Sequence, residues 1–80
     1  MSNSIADTIL SMALHRGPNK TICPSDVARE MFPDDWRKHM GEIRNEAIVL
    51  HKDGSILITQ KGIPVNTDHI KGPIRIRIIK

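Results

Sequence analysis

Between Thr21 and Gly54 the chain reads TICPSDVAREMFPDDWRKHMGEIRNEAIVLHKDG, which fits a short helix, a tight turn and a longer amphipathic helix ending at a glycine. Trp36, Met40, Ile43, Ala47 and Leu50 fall at spacings of four, three, four and three. That is one face of a helix with 3.6 residues per turn. In the shorter helix Cys23 suits the N-cap and Pro24 the first helical position, where a missing N–H costs nothing. Asp26 then sits in the first turn, facing the positive end of the helix dipole. Val27, Ala28 and Met31 supply the apolar stripe. Phe32-Pro33 ends it, because a residue preceding proline disfavours the helical region. Asp34 or Asp35 caps the helix that follows. Two helices joined by so short a turn cross steeply, as in a helix-turn-helix.

One residue interrupts the pattern. Gly41 sits within the third helix, where glycine costs roughly 0.5–1 kcal/mol relative to alanine. It is a tolerated kink, a close approach to another backbone, or the sign that Asp35 to Met40 forms a separate turn and the main helix restarts at Glu42.

The flanks complete the architecture. Met1 to Asn3 are expected to be disordered. Ser4-Ile5-Ala6-Asp7 has the form of a capping box with Asp in place of Glu. Ile5, Ile9, Met12 and Ala13, widened by Leu10 and Leu14, make a core-facing stripe, and Gly17-Pro18 terminates it. Lys20 to Cys23 is partly β-prone and suits a single extended rung, allowing a short third strand near 20–23. After the turn at Lys52-Asp53-Gly54, Ser55 to Gln60 is rich in β-branched residues. Ile74-Arg75-Ile76-Arg77-Ile78 alternates strictly, predicting isoleucines inward and arginines outward. The 13 residues between, Lys61 to Pro73, carry two glycines, two prolines and an Asn-Thr-Asp cluster and are expected to be loop. Three helices followed by a two-stranded hairpin predict an α+β winged helix: a single domain over residues 1–80, with Lys61 to Pro73 as the wing.

The motifs TICPSDVAR, WR…M…IR, TQKG, PV and GPIRIR resemble an uncharacterised bacterial family of small winged-helix-like domains. The likeness runs from Ile5 to Ile78 and implies the fold without implying an activity. CPSDVAR is also similar to the Thr-Pro-x-Glu-Leu-Ala opening of the second helix in many bacterial winged-helix regulators. Here Cys23 stands for the threonine and Asp26 for the glutamate.

Charge narrows the function. Residues 1–60 carry seven Lys/Arg against eight Asp/Glu, net −1, whereas residues 61–80 carry five against one, net +4. A basic final quarter suggests an anionic partner. The longest apolar run, Ala47 to Leu50, is far short of a membrane span, and no secretory leader opens the chain. A lone cysteine fits a reducing, cytoplasmic setting. Eighty residues form one small core, worth roughly 3–5 kcal/mol of stability.

Chemistry finds few candidates. His15, His39, His51 and His69 show no metal-ligand spacing with one another or with Cys23, so they read as surface residues and no metal is expected. Cys23 reads as a small hydrophobe rather than a reactive thiol. No catalytic constellation or phosphate loop stands out, which predicts a protein that is not an enzyme and takes no cofactor.

The best-supported partner is double-stranded DNA. Opposite the apolar face of the third helix lie Lys38, Glu42 and Asn45, with Arg37, Gly41 and Arg44 along one edge. Arg44 pairs well with guanine and Asn45 with adenine, while Arg37 and Lys38 suit phosphates. Glu42 and Glu46 lie on or beside this face and work against it, and an equal reading has Arg44 paired with nearby acids. Lys61, Lys71, Arg75 and Arg77 fall on the wing hairpin, where charge either meets phosphate or guards an exposed strand against edge pairing. The two aromatics, Phe32 and Trp36, sit at core positions, which argues against single-strand recognition by stacking. The expectation is thus weak duplex binding, of the kind a transcriptional regulator uses, by a monomer through Arg37, Lys38, Arg44, Asn45, Lys61, Lys71, Arg75 and Arg77. The alternative is a protein-interaction module using Ile63, Pro64 and Val65 at the wing tip.

Overall fold

Ser4 caps the first helix as its sequence predicts, its Oγ accepting a hydrogen bond from the Asp7 amide at 3.0 Å. A computed structural model of the chain describes residues 4–67 and 70–79. The expectations for Met1 to Asn3 and for His69 lie outside these residues. α1 spans Ile5–Arg16 and ends at Gly17, whose φ of 98° is accessible at low cost only to glycine. α2 spans Pro24–Met31, with Cys23 at the N-cap. The Asp26 carboxylate reaches back to accept from the Cys23 amide at 2.8 Å, satisfying a donor that the helix start would otherwise leave open.

The third helix starts in two steps. Trp36–His39 forms a 3-10 turn, and α3 runs Met40–Lys52. Of the three readings of Gly41, the separate turn holds, although the helix resumes at Met40 rather than Glu42. A Cβ built on Gly41 meets nothing within 4 Å, so no backbone approaches it. The expected aspartate, Asp35, holds the N-cap position of the 3-10 turn without a capping bond. Its side chain instead lies 3.4 Å from His39 Nε2. His39 stands at the N-cap of α3 and pairs through Nδ1 with Glu42 at 3.0 Å.

The strands close the core. β1 (Ile56–Gln60) pairs antiparallel with β3 (Arg75–Ile78), placing Ile56 opposite Ile78 and Ile58 opposite Ile76. All four isoleucines are buried, while Leu57, Arg75 and Arg77 share the outer face, the alternation the sequence predicts. Residues 20–23 contribute one bridge and no strand. Ile22 and Ile76 exchange both backbone hydrogen bonds at 2.8 Å.

The segment expected to be a 13-residue loop is partly sheet. Lys61 (φ 53°) and Gly62 (φ 79°) turn the chain through two left-handed residues, and Ile63–Pro64 returns as β2 along the free side of β1. Successive positive φ angles suit a two-residue hairpin turn, which Lys61 tolerates and Gly62 makes cheap. The sheet order is therefore β2-β1-β3.

The three helices pack on the inner face of this sheet. Ile9 and Ala13, Val27 and Ala28, and Ile43, Ala47 and Leu50 meet Ile22, Ile56, Ile58, Ile74, Ile76 and Ile78 in one cluster. Burying one such side chain contributes roughly 1.5–3 kcal/mol, so this cluster is the dominant stabilising term. Trp36 and Phe32, expected in the core, are only half-buried at its margin. Three helices and an antiparallel sheet in this order give an α+β, winged-helix-like arrangement. Among the described residues no helix is long and apolar enough to cross a membrane.

Candidate nucleic-acid interface

α3 buries Ile43, Ala47 and Leu50, which turns Gly41, Glu42 and Asn45 to the surface and leaves Arg44 at the boundary. Arg44 is where helix and wing meet. Both terminal guanidinium nitrogens donate to the Gly72 carbonyl, each at 3.2 Å. Gly72 turns the chain with φ 81°, which brings that carbonyl round to the helix. From the sheet side, Gln60 Nε2 donates to the Lys71 carbonyl at 2.6 Å and to the Pro73 carbonyl at 3.1 Å. The segment 71–73 is thereby held from two directions. Between it and α3 lies an open cleft of about 430 Å³ lined by Gly41, Arg44, Asn45, Ile48, Thr67, Ile70 and Lys71.

The structure thus brings together three of the eight residues picked out from sequence, Arg44, Asn45 and Lys71. Arg44 neither stands free nor pairs with the acids of its own helix. It directs donors to a carbonyl and retains others of its five N–H groups for a ligand. Arg37 and Lys38 are exposed on the 3-10 turn at the start of α3, and Lys61 is exposed at the tip of the β1–β2 turn.

The strand arginines are placed differently. Arg77 is half-buried opposite Leu57. Arg75 turns back toward the start of α2, donating through Nε to Thr21 Oγ1 at 2.8 Å and through a terminal nitrogen to Cys23 Sγ at 2.7 Å. Cys23 is thus a half-buried acceptor rather than a buried hydrophobe.

The histidines divide. His15 is exposed as expected, but His39 and His51 are half-buried and structural. His39 stacks on Phe32 with ring centroids 3.7 Å apart and planes inclined by 13°. His51 Nδ1 accepts from the Ile58 amide at 3.1 Å, taking a strand donor that lies beyond the short reach of β2.

Ion pairing leaves the cations open. Among the described residues His39 pairs with Asp35 and with Glu42. Among the described residues no carboxylate lies at ion-pair distance from Arg37, Lys38, Arg44, Lys61, Lys71, Arg75 or Arg77. Glu42, which works against phosphate on this face, is turned toward His39. Sequence reasoning missed Arg29, which lies over the Trp36 ring from the last turn of α2. It also missed Gln60, a polar residue at a strand end that no local pattern marks out.

No curated protein matches the chain at a significant level. A family model described as "Protein of unknown function (DUF3253)" matches residues 2–79, nearly the whole chain, and the protein belongs to that family.

Proposed function

We propose that this domain binds double-stranded DNA, with the exposed face of α3 directed at a groove and the wing cations at flanking phosphates. The observation that carries the reading is the set of cations around α3 and the sheet that, among the described residues, have no carboxylate at ion-pair distance, on a winged-helix-like frame. A fold by itself assigns no function, so the weight rests on charge. Asn45 and the spare donors of Arg44 supply the groups for base edges. Arg37, Lys38, Lys61 and Lys71 are exposed and suited to phosphates, with Arg75 and Arg77 as secondary contacts. Glu42 and Glu46 on the same helix keep the affinity weak. The role is binding, without a chemical step, as in a bacterial cytoplasmic regulator.

The test is the dissociation constant for a mixed-sequence duplex measured against salt. With about five cations on phosphates, log affinity should fall against log salt with a slope near −4.5. A slope near zero, or no binding at low salt, would remove the reading. A second reading has one observation in its favour. Ile63, 68% exposed, and Pro64 lie side by side at the edge of the sheet beside Val65. A protein partner docked there would bind with little dependence on salt.

A further inference from the structure

We infer that Arg29, Trp36 and Arg37 form a two-guanidinium clamp for a backbone phosphate of duplex DNA, an interaction that rests on the DNA-binding reading and extends it to Arg29. Arg29 comes from the last turn of α2 and Arg37 from the 3-10 turn. Their Cζ atoms lie 4.4 Å and 4.5 Å from the Trp36 ring centroid.

The tight connection between the helices fixes this meeting. Phe32 N donates to the Ala28 carbonyl at 2.8 Å, Asp35 N to Phe32 at 3.2 Å, and Lys38 N to Asp35 at 3.0 Å. The relation of the α2 terminus to the turn is thus held by backbone bonds. An arginine lying over an indole ring is attracted to it and loses mobility, while the donors at its edge stay available.

Among the described residues, Arg29 and Arg37 make no side-chain hydrogen bond and no ion pair. Two like charges held on one ring repel, and an anion within reach of both relieves that repulsion. A phosphate also matches the paired N–H geometry of each fork. Carboxylates are close in sequence: Asp35 is turned toward His39, and Asp34 is exposed. Their field disfavours a free anion, so the clamp needs a phosphate already held by other groups, as on a duplex seated against α3. The same arrangement covers Trp36 with guanidinium groups, which agrees with duplex rather than base-stacked single strands.

Trp36 is the only tryptophan, so its fluorescence reports the clamp directly. The experiment titrates a mixed-sequence duplex into the wild type, R29Q/R37Q and K61Q/K71Q at several salt concentrations, following Trp36 emission and affinity together. Both arginines are exposed, and matching thermal midpoints check that the variants fold. We expect the duplex to change wild-type Trp36 emission and R29Q/R37Q to lower the salt slope by about 0.9 for each phosphate that the variant no longer neutralises. Inorganic phosphate at matched ionic strength should leave the emission unchanged; a saturating change would mean a free-anion site and overturn the assignment. If R29Q/R37Q keeps the wild-type slope while K61Q/K71Q lowers it, the clamp is wrong and the DNA reading stands. If the wild type binds no duplex at low salt, both fall.

Discussion

The two ends of α3 are built on opposite terms. At its C-terminal end Ala47 and Leu50 are buried, and the Leu50 carbonyl accepts from Ser55 N at 3.0 Å. His51 is bonded to β1, and Asp53 Oδ1 accepts from Ser55 N at 2.9 Å. These groups stabilise the passage from helix to sheet. At the N-terminal end Trp36 and Met40 are half-buried, Gly41 is open, and Arg37, Lys38 and Arg29 are exposed with no carboxylate partner among the described residues. An end that holds exposed cations without ion-pair partners among the described residues, and a glycine in the first turn of the helix, is not optimised for stability. Such local conflict is expected where a surface serves binding.

Substitutions at the two ends should therefore differ in kind. Leu50→Ala should have the largest effect, a loss of about 2–5 kcal/mol by chemical denaturation, because it leaves a cavity in the cluster that joins helices and sheet. In a domain of roughly 3–5 kcal/mol total stability, that loss leaves much of the protein unfolded at room temperature. His51→Leu should cost about 1–3 kcal/mol, since the Ile58 amide is left without its acceptor. Recovery of part of that stability in His51→Gln, whose side-chain oxygen can accept, would separate the hydrogen bond from ring packing.

Arg44→Met should cost about 0.5–1.5 kcal/mol while raising amide exchange in segment 71–73, then held by Gln60 alone. It should also weaken duplex binding by more than its stability cost explains. Smallest, and opposite in sign, Gly41→Ala should gain up to about 0.5–1 kcal/mol, because the methyl group enters open space and the unfolded chain has less freedom to give up. A gain in stability paired with weaker DNA affinity would sharpen the contrast between the ends, for Gly41 lines the cleft beside Arg44 and Asn45. Equal losses at both ends would erase it.

Much of this frame is legible in the sequence because one-dimensional periodicity reports burial. Ile43, Ala47 and Leu50 at helical spacing, and Ile74, Ile76 and Ile78 at strand spacing, are all in the core. Local chemistry is legible too, as at Ser4, Gly17 and Pro24. Hidden were features set by partners distant in the chain. β2 is two residues long and contains proline, so it carries no alternation to detect; only its pairing with Thr59 and Gln60 makes it a strand. Trp36 falls on the apolar stripe, yet Arg29 from another helix and Arg37 beside it take its ring, and it stays half-buried. Among the candidate site residues, spacing brought Arg44 and Asn45 to one face. No local pattern could show that Lys71 would join them, since that depends on the Gly72 turn and on Gln60, 11 residues away. Nor could alternation reveal that Arg75, outward as expected, would fold back onto Thr21 and Cys23.

The most direct test of the central claim is an amide chemical-shift titration of the intact domain with a mixed-sequence duplex at low and near-physiological salt. The account predicts salt-sensitive shifts over Arg37–Asn45 and across Lys61–Arg77, with the C-terminal end of α3 unmoved. No shifts at low salt, or shifts confined to Ile63, Pro64 and Val65 and indifferent to salt, would contradict it.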